Sequence, residues 1–424
     1  MDLLKVLLKN AKIISSTSPF NGQSKDILIE NGIISRIADS IIMDEARAIS
    51  FDNLHVSEGW HDGFSNFCDP GFEFKETLET GSAAAAAGGF TCVLVTPNTY
   101  PVVHSKSQVE YLVQSRSGLP VTIYPIGAVT RKTEGKELTE MYDMYKSGAV
   151  AFSDGTRPIQ SSGMVLNALQ YLLAIDSTLI QIPDDTSISR SGLMNEGIIS
   201  TKLGLPGKPA IAEHILISRD IALAAYTNSK IHFTGISTEE SLKLILNAKA
   251  TGLKVSCSVT PYHLFFCDED IQLYDANFKV NPPLRPKSDM LALKEAARNG
   301  EIDFIASHHE PQDWDNKTCE FEYAQPGMAA LESVFGVAMH CGISIERFVQ
   351  MQTMNICQIF NLPKSMISEG SPAQLTLFNP EIRCTMESNN AYAKSKNNAL
   401  NGKELIGKSL GIFNHNKLFL NKLL

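Results

Sequence analysis

Through the middle of the chain, short apolar runs alternate with longer stretches whose apolar residues recur every three or four positions. The runs Thr91–Thr96, Val121–Ile126, Ala149–Ser153, Leu179–Ile182, Ile231–Thr234, Lys254–Val259 and Phe304–Ser307 are short and largely apolar. They read as buried parallel strands. Gly81–Ala87, Ser161–Ala174, Ala210–Ala225, Glu239–Ala250 and Met290–Arg298 lie between them and read as helices. The first is an alanine run that stops at Gly88-Gly89, where glycine tolerates the left-handed backbone that closes a helix. With one more strand before Asp62 the strands number eight, so the pattern predicts an α/β protein with a TIM-like (β/α)8 barrel. A doubly wound sheet is the alternative, but no glycine-rich phosphate loop follows the first strand.

The two ends have a different texture. Lys12–Ser15, Asp26–Glu30 and Gly32–Ile37 read as strands, the last two joined through the hairpin signal Asn31-Gly32. From about Ser368 the same style returns, with Gln374–Phe378 alternating and Gly411–Phe413 and Lys417–Leu420 flanking Asn414-His415-Asn416. The expectation is one small β-sandwich built from residues 1–56 and 366–424, beside a barrel over residues 57–365.

Composition narrows the function classes. The chain has 424 residues, 43% hydrophobic, and a formal net charge of −9. A net-negative chain without a basic block argues against nucleic acid, which needs clustered Lys and Arg. No apolar run reaches the roughly 18–20 residues of a membrane span. Eight scattered cysteines without a CxxC pair fit reduced thiols, and a cytoplasmic protein is expected.

The chemistry concentrates in Asp62-Gly63-Phe64-Ser65-Asn66-Phe67-Cys68-Asp69-Pro70-Gly71-Phe72-Glu73. This stretch resembles the D-x-H-x-H-x-R-[DE]-P-G-F-E motif of dihydroorotases, cyclic amidohydrolases of the amidohydrolase superfamily. The likeness continues in order through Thr96-Pro97-Asn98-Thr99, Ala151-Phe152-Ser153-Asp154 and Asn195-Glu196-Gly197. It then runs through Val280-Asn281-Pro282-Pro283-Leu284-Arg285, Pro326-Gly327-Met328 and Gly370-Ser371-Pro372-Ala373, covering nearly the whole chain. The resemblance implies the same barrel and sandwich, and a zinc centre at the barrel mouth.

Position by position, the implied zinc ligands are missing. The strand-one histidines fall on Phe64 and Asn66, and the strand-five histidine falls on Pro183. The strand-six histidine falls on Gly235, and the catalytic aspartate of T-D-H-A-P-H falls on His308. Asp154 keeps one carboxylate of the strand-four doublet. Phenylalanine, proline and glycine offer a metal no side-chain donor, and asparagine is a poor zinc ligand. On the substrate side, Cys68 and Gln312 stand where the family has an arginine and a histidine. Asn98, His263 and Asn281 match the family and are the substrate-binding candidates.

A bound metal lowers the pKa of water from about 15.7 to about 7, worth roughly 12 kcal/mol of nucleophile activation. A lone general base contributes about 10²–10⁴-fold. The expectation is therefore a dihydroorotase-like protein without cofactor and without hydrolase activity. The resemblance implies a scaffold or assembly role in pyrimidine biosynthesis with aspartate transcarbamoylase as partner, and a homo-oligomer. The alternative is a cyclic amidohydrolase with a site rearranged around Asp154, His308 and His309. His308 and His309 are neighbours on a strand end, so their side chains should point apart. Cys68 has no histidine in its local sequence to activate it.

Overall fold

The computed structural model describes residues 5–421 apart from Arg116 and Gln272. Eight strands form one parallel sheet in chain order: Trp60–Ser65, Phe90–Val95, Thr122–Gly127, Ala151–Phe152, Thr178–Gln181, Lys230–Thr234, Val255–Val259 and Phe304–Ile305. The first and last strands meet through a parallel bridge between Ser65 and His309. The buried Asp62 carboxylate reinforces that seam. It accepts hydrogen bonds from the Ser307 backbone N–H (2.7 Å), the Ser307 hydroxyl (2.9 Å) and the Ser65 hydroxyl (2.6 Å). This is the expected (β/α)8 barrel. Strand ends and the following helices, such as Leu78–Gly88, Ser162–Leu173, Ile211–Thr227 and Glu239–Ala250, lie within a few residues of the sequence expectation.

The sandwich draws on both ends of the chain. Lys5–Ile13, Ser24–Glu30, Ile33–Ala38 and His55–Glu58 belong to one sheet with Leu375–Thr385, Glu404–Asn414 and Lys417–Leu420. The seam between the two contributions is antiparallel, Glu58 opposite Leu375 and His55 opposite Phe378. Asn31 and Gly32 both adopt positive φ (54° and 79°), the conformation that a two-residue hairpin with native twist requires. A separate apolar cluster including Val6, Leu8, Ile27, Ile29, Val56, Leu377 and Phe413 fills this part.

Trp60, the first residue of the barrel, joins the two halves. Its fully buried indole packs on Phe335 and Phe348 of the barrel (centroids 4.9 Å) and on Phe378 of the sandwich (5.2 Å). Its backbone N–H donates to the Thr376 hydroxyl at 3.1 Å. Among the described residues no helix is long and apolar enough to cross a membrane. All eight cysteines are unpaired.

Candidate functional site at the barrel mouth

The loops after the barrel strands enclose a cavity of about 830 Å³. Its wall includes Phe64, Asn66 and Cys68 from the first strand end, Asn98 from the second, Asn281, and His308, His309, Glu310 and Gln312 from the last. The cations Lys75, Lys132 and Arg157 line it against the carboxyls of Glu134 and Glu310.

Three of the positions where the resemblance implies ligands or the catalytic aspartate come together and fill one another's space. The buried Phe64 ring lies against His308, centroids 4.7 Å apart. His308 Nε2 pairs with the Thr234 hydroxyl at 2.7 Å. Burial drives the His308 pKa down to about 3, with the neighbouring His263 disfavouring a second cation, so the ring is neutral at ordinary pH. Gly235, at φ +68°, presses on the same ring, for a Cβ there would sit 2.6 Å from His308 Cε1. Phe64, His308 and Gly235 thus pack an aromatic ring and a hydrogen-bonded imidazole into one volume.

The remaining positions do not join them. Asp154 is buried and accepts hydrogen bonds from the Thr130 backbone N–H (2.8 Å) and the Thr130 hydroxyl, which makes it a loop brace. Burial raises its pKa to about 6. Pro183 is buried beside Asp184 and offers no donor atom. Asn66 is spent locally: its oxygen accepts the Cys68 N–H at 2.9 Å, and its amide group donates to the Glu310 carboxyl at 3.3 Å. Among the described residues, no group of three or more His, Cys, Asp or Glu side chains is placed to hold a metal ion. These donors do not fit a two-metal hydrolytic centre.

The substrate candidates divide. Asn98 lines the cavity, but its amide ties two loops, donating to the Asp154 carbonyl (3.1 Å) and accepting from the Thr156 N–H (3.0 Å). His263 has both ring nitrogens engaged, by the Thr260 hydroxyl (2.7 Å) and the Pro283 carbonyl (3.1 Å), and burial lowers its pKa to about 4. Neither nitrogen is left for a ligand. Asn281 does face the cavity, and its oxygen is taken by Lys208 Nζ at 2.6 Å.

His308 and His309 point apart as expected. His309 packs instead on the buried Phe67 and pairs with the buried Glu76 at 3.3 Å. Cys68 lies in the wall, but burial pushes its thiol far above the usual range and leaves it inert. Gln312 accepts from Lys75 Nζ at 2.8 Å and donates to the Pro326 carbonyl at 2.9 Å, so its amide is engaged within the protein. Sequence reasoning missed Lys75, Lys208 and Glu310. Lys75 lies inside the Asp69–Thr77 motif and was open to notice; no local pattern marks the other two.

The family description "Dihydro-orotase-like" matches residues 64–241. The chain is similar to the dihydroorotase of Syntrophus aciditrophicus, 34% identical over 412 residues and 96% of each chain. That of Caldanaerobacter subterraneus subsp. tengcongensis is 38% identical, over 95% of this chain and 94% of its own. The L-hydantoinase (dihydropyrimidinase) of Arthrobacter aurescens has the same fold, with a TM-score of 0.85 at 20% identity over 98% of this chain and 96% of its own.

Proposed function

The chain belongs to the dihydroorotase family, within the amidohydrolase superfamily, and from that premise we propose that it is a member that keeps the mouth cavity without metal-dependent hydrolysis. The packing of Phe64, His308 and Gly235 into the volume that the ligands would need carries this reading. The role that follows is assembly or scaffolding in pyrimidine biosynthesis, with aspartate transcarbamoylase as the partner. Phe74, Tyr100, Trp314 and Tyr323 support it: each stands exposed on a loop, where a partner could cover it. Mixing the purified protein with aspartate transcarbamoylase in size-exclusion chromatography tests that partner; separate elution at micromolar concentration rejects it.

The second reading is a cyclic amidohydrolase with a rearranged site, interconverting dihydroorotate and N-carbamoyl-aspartate or acting on a related cyclic amide. Identity of 34–38% over nearly the whole chain to proteins called dihydroorotase favours it. One assay separates the two. Purified protein, with and without added zinc, is tested for dihydroorotate turnover alongside metal analysis. Zinc-dependent turnover with stoichiometric metal sinks the first reading, and no turnover in either condition sinks the second.

A further inference from the structure

One polar group at the mouth is uncommitted, and a buried lysine aims it. Lys208 is 8% exposed and lies on the short ladder that pairs Met194–Asn195 with Gly207–Lys208. Its ammonium donates to Asp184 Oδ2 and to Asn281 Oδ1, both at 2.6 Å. A lysine can only donate, so the oxygen of the Asn281 amide must face it and the nitrogen must face away. Among the described residues that nitrogen makes no hydrogen bond, whereas Asn66, Asn98 and Gln312 have both ends of their amides engaged. Asn281 stands in the wall shared by the mouth cavity and a neighbouring cleft of about 340 Å³.

We infer that Lys208 is a positioning residue that sets the polarity of the mouth: it locks Asn281 as an N–H donor, so the cavity takes a ligand with a carbonyl or carboxylate oxygen there. A ligand offering an N–H at that point meets two donors face to face and leaves a buried donor unpaired. The excess of cations on the wall fits an acidic ligand that carries such an oxygen. Asp184 holds the ammonium in place, and the Lys208 carbonyl, fixed at 3.0 Å by Arg285 Nη1, holds the backbone. The inference rests on the mouth taking a ligand, as the second reading above requires.

The test uses N-carbamoyl-L-aspartate and N-amidino-L-aspartate; the second replaces one carbonyl oxygen with a nitrogen donor and also carries a guanidinium charge, so the charge-balanced variant Lys208→Met with Asp184→Asn decides between the amide and the charge. Calorimetric titration of the full-length protein should give tighter binding of the carbamoyl probe, by about tenfold or more. Lys208→Met frees the amide to turn and should bring the ratio towards one. Lys208→Met with Asp184→Asn, which leaves no unpaired carboxylate, should do the same if the single variant folds poorly. Asn281→Asp replaces the donor with an acceptor and should reverse the preference. A ratio near one in the wild type, or one unmoved by these variants, overturns the inference alone. No binding of either probe overturns the mouth as a ligand site and the inference with it.

Discussion

Gly235, where the resemblance implies a ligating histidine, has no room for that side chain. Its φ of +68° disfavours any L side chain, and the first carbon of one would meet the His308 ring at 2.6 Å. Gly235→Ala should destabilise the protein by about 1–3 kcal/mol through strain and overpacking, measured by urea denaturation. The double variant Phe64→His/Asn66→His restores only the strand-one pair, while Pro183 and Gly235 still contribute nothing and His308 stays bound to Thr234. It should bind substoichiometric zinc by elemental analysis; one or two tightly held ions per chain would refute the account of the lost centre. The substitutions themselves were legible in the sequence because a motif frame marks where ligands belong. Their replacement packing was not, since Phe64, Gly235 and His308 are far apart along the chain and only folding brings them together.

Helix Leu78–Gly88 shows what the pattern of an element does and does not reveal. The alanine run predicts the helix, but the structure extends it by nearly a turn towards its N-terminus, where Thr77 caps it. The Thr77 hydroxyl accepts the Thr80 N–H at 3.2 Å, and the Thr80 hydroxyl accepts the Thr77 N–H at 3.0 Å. Thr77→Ala should cost about 1 kcal/mol, read as a lower denaturation midpoint with unchanged slope. The last barrel strand is shorter than its apolar run predicts, Phe304–Ile305 against Phe304–Ser307. Ser307 gives its N–H to the Asp62 side chain, and His308 turns to φ 44°, so the ladder ends early. A tertiary carboxylate overrides local propensity there, and no local pattern carries that information.

At the scale of the whole molecule, the alternation of elements and the kinship of the two ends were enough to read the barrel and its sandwich. What stayed hidden were the contacts between distant segments. Glu332 is one of them: its carboxyl accepts the backbone N–H groups of Tyr392 (2.8 Å) and Ala393 (3.1 Å), tying the segment before the last strands to the barrel. Burial raises its pKa from 4.5 to about 7. The folded protein therefore holds this proton more tightly than the unfolded chain does. The contribution is complete below pH 4.5 and is lost as pH rises through 7, amounting to about 3 kcal/mol. Glu332→Gln keeps the accepting oxygen and should flatten the fall in stability between pH 5 and 8, measured by thermal denaturation across that range. An unchanged slope would place the titration elsewhere.

The seam between His55–Glu58 and Leu375–Phe378 also imposes an order on biosynthesis. A ribosome delivers the first of these strands long before the second, with almost the entire barrel between them. The early strand leaves the exit tunnel with one flank bare and keeps it so until the barrel and Leu375–Phe378 have followed it. Closure of the sandwich therefore waits on the whole barrel, and a message truncated within the barrel yields a product with an open edge that invites aggregation.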